Sequence, residues 1–431
     1  MPVRLNVANL ARTTLETALS SSDTSMTVSS STGFPPPPFR VTLFDTKNIE
    51  IVEVSSVSGN NWTIIRAREG TTARNWPAGT RIELRWTAGT YDELKTEIAA
   101  IRARYWSPLT LPVQTTFGSI TGSANYFGAV MAMNGQVYFV PHDATTVMRV
   151  NPADRSTATF GSLSGSAKWA GGALAENGMI YCAPYNATNF LKINPTNNTT
   201  STFGTLDSTT GKYVGIINAA NGFLYTIPYN ATNVLTINVS NDAVSAFGNL
   251  SGSNKWFGGA LLPNGNIVCA PYDATQMLVI NTSDNTTSLV SIPVSGTAKY
   301  AGAVYAPSGW VFFVPYNATS VLAYNANTGE FTSFGNFTET AKWVGAVVTS
   351  IGDIYAIPHS ASTILAIEPY SLTTRTFSTT SGSAKWAGGA MITSITYPIQ
   401  SFNRIFCAPY NSTSVLEIYV IDLLGPHYNK F

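Results

Sequence analysis

Charged side chains are scarce in this chain: Asp, Glu, Lys and Arg make up 11% of its 431 residues, against about 25% in an ordinary soluble domain. The surface is therefore carried by Ser, Thr, Asn and Gly, which suits exposed β-structure better than helices. An excess of either sign is missing as well. A net charge of +1 offers no basic field to nucleic acid or to an anionic membrane surface. No apolar run reaches the roughly 20 residues of a membrane span. Met1 to Thr14 lacks the apolar core of a secretory signal, so neither membrane insertion nor Sec export is expected.

What the chain has is repetition. Pro184-Tyr185-Asn186-Ala187-Thr188 has close copies beginning at Pro141, Pro228, Pro271, Pro315, Pro358 and Pro409, at spacings of 43, 44, 43, 44, 43 and 51 residues. A second motif, a small residue followed by Lys, an aromatic, any residue and Gly, travels with it. Its aromatics are Tyr126, Trp169, Tyr213, Trp256, Tyr300, Trp343 and Trp386. In the second unit, Lys168 to Ala175, Met179 to Pro184, Phe190 to Ile193 and Thr200 to Leu206 read as four strands, with Glu176-Asn177-Gly178 as a tight turn. Four antiparallel strands per period of about 43 residues is the arithmetic of a β-propeller blade. Small residues open each first strand, as in Gly171-Gly172 and Gly388-Gly389, where strands converge on an axis; the third unit departs with Gly215-Ile216. A Phe-Gly signature, as at Phe160-Gly161, Phe203-Gly204, Phe247-Gly248 and Phe334-Gly335, marks fourth strands. One extra copy, Thr115-Thr116-Phe117-Gly118, precedes the first unit, and the seventh unit has none after it. The N-terminal copy is thus expected to complete the last blade and leave no open sheet edge.

The predicted fold is all-β: a seven-bladed propeller over residues 113–431, preceded by a small β-domain over 1–88 and a helix and linker over 89–112. In the first domain, strands are expected at Thr13 to Ala18, Ser25 to Ser29, Phe39 to Phe44, Asn48 to Ser55, Trp62 to Ala67 and Arg81 to Trp86. Tyr91 to Tyr105 reads as one short helix, with Thr90 as N-cap and an apolar line of Leu94, Ile98, Ile101 and Tyr105.

Two resemblances bear on function. The Asn48-Ile49-Glu50-Ile51-Val52-Glu53-Val54 strand and the segment from Gly70-Thr71-Thr72 through Trp76-Pro77-Ala78-Gly79 to Arg81 resemble small N-terminal β-modules of tailed-bacteriophage virion proteins. The repeats over residues 115 to 421 lack the Gly-His and Trp-Asp pairs of WD40 units. They resemble bacterial and viral propeller repeats with Lys-Trp and Pro-Tyr-Asn-Ala-Thr signatures. Together these imply a structural virion component, made in the host cytoplasm: a tail fibre, spike or baseplate-peripheral protein for host attachment. It would join other tail or capsid proteins through the first domain, form a homo-oligomer, and present the propeller to a host-surface glycan. A capsid-attached fibre or decoration protein, and a soluble multivalent lectin unconnected with a virion, are the alternatives.

Both repeated motifs fall in loops expected on one propeller face. The candidate ligand residues there are Lys168, Trp169, Tyr185, Lys212, Tyr213, Tyr229, Lys255, Trp256, Tyr272, Lys299, Tyr300, Tyr316, Lys342, Trp343, Lys385, Trp386 and Tyr410. Asn125 stands in the seventh lysine place. Six of twelve Lys and Arg from Thr115 onward lie in this set, which predicts a distinctly basic face. The packing account of the same residues is the stronger: Tyr-Asn-Ala-Thr is good turn chemistry, and a Lys stem can lie along an aromatic ring. No nucleophile elbow, phosphate loop or calcium loop is present. His142 and His359 replace the motif tyrosine in units read as far apart, so no metal pair, cofactor or catalytic residue is predicted, and the chain is read as not an enzyme. Cys182, Cys269 and Cys407 share one repeat position and read as buried thiols.

Overall fold

The computed structural model describes residues 11–85, 112–350, 352–396 and 400–422. The chain divides into two compact units, Met1–Trp106 and Ser107–Phe431. Among the described residues every regular element is a strand. The helix expected over Tyr91 to Tyr105 lies outside the described residues.

The first unit is one six-stranded sheet in the order Arg12–Thr14, Arg81–Glu83, Phe39–Phe44, Ile49–Ser58, Asn61–Arg68, Ser25–Thr27. A bridge between Leu15 and Val28 joins its two edges, so the sheet curls round a core of Phe39, Val41, Leu43, Val52, Val54, Trp62 and Ile82. Closure removes the unpaired edges that would otherwise invite association. One charge is sealed inside. Glu50 is fully buried, and its carboxylate accepts from Arg66 Nε at 2.7 Å, Arg66 Nη2 at 2.8 Å, Trp76 Nε1 at 2.8 Å and the Arg74 amide at 3.1 Å. Burial alone would raise its pKa, but the bonds from Arg66, Trp76 and Arg74 outweigh it and hold the group below the usual glutamate value.

Among the described residues, the second unit shows seven four-stranded antiparallel sheets. The second is typical: Trp169–Leu174, Ile180–Pro184, Phe190–Asn194 and Thr199–Phe203 lie side by side in chain order. The seventh differs, because its outermost strand is Val113–Phe117, paired antiparallel with Val415–Asp422 in a register that sets Val415 against Phe117. The first strand of each sheet packs on that of the next, and the seventh returns to the first. The result is a closed β-propeller. Its cores lie between sheets: Val130, Tyr138 and Val140 of the first pack with Trp169, Ile180, Cys182 and Leu191 of the second. All three cysteines are free and fully buried, and burial pushes their thiols well above the usual value.

Two devices close the ring. Every first strand carries a one-residue bulge after its aromatic, as between Trp169 and Gly172. A left-handed glycine stands in each bulge: Gly128, Gly171, Gly215, Gly258, Gly302, Gly345 and Gly388. These glycines form a ring around the axis, each with its Cβ side against the next one's backbone. The departure read in the third unit thus spares the position that matters, Gly215. At the seam, Glu417 of the seventh sheet is buried and accepts from Arg404 of its own sheet and from Arg155 of the first at 2.6 Å.

Candidate functional site

Both repeated motifs meet where one sheet follows another, and their main chains are interlocked. In the second unit the Tyr185 amide donates to the Lys168 carbonyl at 2.8 Å, and the Tyr185 carbonyl accepts from the Lys212 amide of the next unit at 2.8 Å. The same bonding recurs around the ring, ending with the Asn125 amide on the Tyr410 carbonyl at 2.9 Å. The third motif residue adds a side-chain latch. Asn186 Oδ1 accepts from the Gly211 amide at 2.8 Å, Asn230 Oδ1 from the Asn254 amide at 2.8 Å, and Asn411 Oδ1 from the Ala124 amide at 2.8 Å. Asp143, Asp273, Asn317 and Ser360 do this in the other four units.

The exposed basic face is corrected. Lys168, Lys212, Lys255, Lys299, Lys342 and Lys385 are only 1–5% exposed. The residue before each lysine is left-handed, with φ of +46° at Ala167 and +63° at Gly211, and this turns the lysine back beneath its own loop. Each ammonium then donates to the carbonyl three residues earlier: Gly165 at 2.9 Å, Thr209 at 2.6 Å, Gly252 at 2.8 Å, Gly296 at 2.8 Å, Glu339 at 2.6 Å and Gly382 at 3.0 Å. Trp169, Trp256, Trp343 and Trp386 are buried as well, each indole N–H donating to a carbonyl of its own unit at 2.7–2.9 Å. Tyr213 and Tyr300 are buried in the same place. The Lys-aromatic pair is therefore part of the lock between sheets.

Burial lowers all six lysine pKa values, those of Lys255 and Lys342 to about 8. Burial also raises the tyrosines packed near them. For Lys255 and Lys342 the unfolded chain binds more protons between about pH 8 and 10.5, so stability rises with pH across that window, and the other four lysines act with the same sign below pH 10.5. A raised tyrosine has the opposite sign: its contribution is intact below about pH 10 and is lost above it. The three buried thiols have the same sign as the tyrosines and begin to oppose the lysines above about pH 8.5 to 9, so thermal stability of the propeller should climb from pH 7.5 to about 8.5, flatten, and fall beyond pH 10.5. Melting curves at constant ionic strength check this; a monotonic decline from pH 7.5 would refute it.

The first residues after the motif prolines behave differently. His142, Tyr185, Tyr229, Tyr272, Tyr316, His359 and Tyr410 form an unbroken annulus, with neighbouring ring centroids 5.7, 6.2, 5.7, 5.7, 6.0, 5.7 and 5.6 Å apart in that order. All five tyrosines keep part of their surface exposed. Tyr229 is influenced by Tyr272, Tyr185 and Tyr316, and Tyr410 by Tyr185 and Tyr316, across the ring as well as along it. Burial raises the pKa values of all five, so the phenols are neutral near pH 7. Inside the annulus, Phe127 and Phe257 meet at 5.8 Å. Phe127 touches His142 and Tyr410, and Phe257 touches Tyr229 and Tyr272, so two phenyls lie against the annulus and against each other. Sequence reasoning missed Phe127 and Phe257; their signal was a bulky residue where the other units place Ala or Val.

The histidines are corrected too. Ring closure brings the first and sixth units to either side of the seventh, so His142 and His359 flank Tyr410 at 5.6 and 5.7 Å. Burial lowers both pKa values. His359 Nδ1 lies 3.0 Å from the Trp386 carbonyl, so the neutral ring carries its proton on that nitrogen.

No protein-family model and no curated protein sequence matches the chain. Solved structures do. Virginiamycin B lyase from Staphylococcus aureus is 14% identical, with a TM-score of 0.62 over 72% of this chain and 100% of that one. A catalytically inactive variant of the same lyase with quinupristin gives the same figures. YCF48 bound to D1 peptide is 10% identical, with a TM-score of 0.51 over 72% of this chain and 95% of that one. None of these three is a virion protein. At such identities the likeness is one of fold. It corrects the reading of the chain as not an enzyme, because the same architecture carries a lyase.

Proposed function

We propose that this chain is a virion component of a tailed phage, with a first unit that joins it to tail or capsid proteins and a seven-bladed propeller that binds a host-surface glycan. The observation that carries the binding reading is the annulus: five neutral phenols with two phenyls lying against it. Sugar rings offer an apolar face and a girdle of hydroxyls, which suit aromatic surfaces and neutral hydrogen-bonding groups together. The recognition element moves from the lysines to Tyr185, Tyr229, Tyr272, Tyr316 and Tyr410. Assembly of several copies would raise avidity without new contacts. The virion assignment rests on the resemblance of the Asn48 to Val54 strand and the Gly70 to Arg81 segment.

Replacing Tyr185, Tyr272 and Tyr410 by Phe keeps the rings and removes three hydroxyls. Cell or glycan-array binding should fall at least tenfold, as expected from losing hydrogen bonds worth about 0.5–1.5 kcal/mol each, while the melting temperature changes little. Unchanged binding by the folded triple variant would exclude the annulus. Electron microscopy of particles carrying a labelled chain tests the virion assignment separately.

A second reading is turnover at the same annulus, favoured by His142 and His359 on either side of Tyr410. Product analysis of bound glycans with the chain and its His142→Ala and His359→Ala variants tests it.

A further inference from the structure

We propose that a monovalent cation of potassium or ammonium size occupies the seam between the seventh and first sheets, where Asn125 replaces the lysine found at the other six junctions. This inference is independent of any glycan role.

The main chain at the seam is built like the other six. Ala124 is left-handed at +50°, beside +46° at Ala167 and +49° at Ala384, and Gly122 has a φ of +94°, beside +97° at Gly165 and +98° at Gly252. The Asn125 amide donates to the Tyr410 carbonyl at 2.9 Å, as the Lys255 amide does to Tyr229 at 2.9 Å. The side chain also sets out along the same path. Asn125 lies over Gly122 as the stems of Lys168, Lys255 and Lys385 lie over Gly165, Gly252 and Gly382. It then stops at the δ position, two atoms short of where an ammonium would be.

With the main chain built as at the full junctions, those two missing atoms leave the acceptors of the ammonium without their donor. At full junctions the ammonium is received by the carbonyl three residues back and often by one from the preceding unit: Tyr229 at 3.0 Å for Lys255, Tyr272 at 2.9 Å for Lys299, Ala361 at 2.8 Å for Lys385. The counterparts at the seam are the carbonyls of Gly122, Tyr410 and Ser412. A cluster of inward carbonyls is the donor set that potassium takes in place of its water shell. A second observation points the same way. Asn125 is 7% exposed, and its Nδ2 is buried with no hydrogen-bond partner. The amide stops too short of those carbonyls to donate to any of them. Turned over, it contributes Oδ1 as a further ligand, and oxygen and nitrogen of an amide are exchangeable assignments. The other six seats each hold a lysine nitrogen, so the seam is the one junction of the ring lacking it.

The test uses the full chain. Its melting temperature should rise in potassium or ammonium chloride over choline chloride at equal ionic strength, since a ligand that binds only the folded state stabilises it. Asn125→Lys should melt higher than the parent and lose that salt dependence. Crystals soaked in thallium(I), a potassium mimic, should show an anomalous peak bounded by the Gly122 and Tyr410 carbonyls, absent in Asn125→Lys. Equal melting in all three salts with no thallium peak would mean that water alone fills the space. Asn125→Lys unfolding or melting lower than the parent would mean that no lysine-shaped space exists. Either result overturns the proposal.

Discussion

Gly388→Ala should destabilise the propeller by about 2–5 kcal/mol, more than any exposed substitution on its surface. Two costs add. Gly388 has a φ of +78°, where a side chain meets its own backbone at roughly 1–2 kcal/mol. A Cβ built there would also lie 2.9 Å from Gly128 Cα and 3.3 Å from Gly128 N, and crowding of that kind costs a further 1–3 kcal/mol or so. Backbone is what it strikes, so no rotamer change relieves it. Gly178→Ala is the control: its φ of +79° is the same, but nothing lies within 4 Å of the added carbon. Only the first cost applies there. Denaturant titration of both variants separates the terms, and equal losses would show that the glycine ring is not under contact. Gly171→Ala, at 2.9 Å from Gly215 Cα, should behave like Gly388→Ala, because ring closure makes the seam equivalent to any other junction.

How much of this was legible in the sequence depends on what each feature requires. The sheets were legible, because strand alternation and two landmarks per unit survive in one dimension. The borrowed strand was legible for the same reason: Thr115-Thr116-Phe117-Gly118 carries a fourth-strand signature out of turn, and it pairs with Val415–Asp422. The buried lysines were not, since a lysine in a polar loop reads as solvated. Their burial follows from the left-handed residue before them, and Ala fills that slot in five of the seven units, at φ values of +46° to +52°. Gly211 and Asn254 in the same slot were the available clue, because those residue types tolerate positive φ. That the residues after the motif prolines share one face was legible; the closeness of the two histidines was not. His142 and His359 are distant in the chain and become neighbours of Tyr410 only when the ring closes.

In the first unit, Glu50→Gln should cost about 3–5 kcal/mol, the usual loss when one partner of a buried ion pair is removed and the other stays charged. The strand Ile49-Glu50-Ile51 alternates as if Glu50 faced solvent, yet its side chain is 0% exposed and the Arg66 side chain 9% exposed. The carboxylate is the node that ties the segment from Gly70 to Arg81 down, through the Arg74 amide and the Trp76 indole. Gln fills the same volume, but it offers one acceptor oxygen where the carboxylate receives bonds on two, and it leaves the guanidinium without a counter-charge. Hydrogen exchange across residues 39–83 should then quicken while exchange in the propeller strands stays unchanged, as each unit has its own core. Acid should reveal the same group. The folded pKa lies below the ordinary glutamate value, so its contribution is present above about pH 4.5 and is lost as pH falls through the folded value. The variant should lack this component of acid sensitivity. Protection of residues 39–83 equal to the parent's at both pH 7 and pH 4 would show that Glu50 is a passenger in the barrel. A local loss at pH 7 that narrows as the parent is acidified identifies it as the residue holding the Gly70 to Arg81 segment in place.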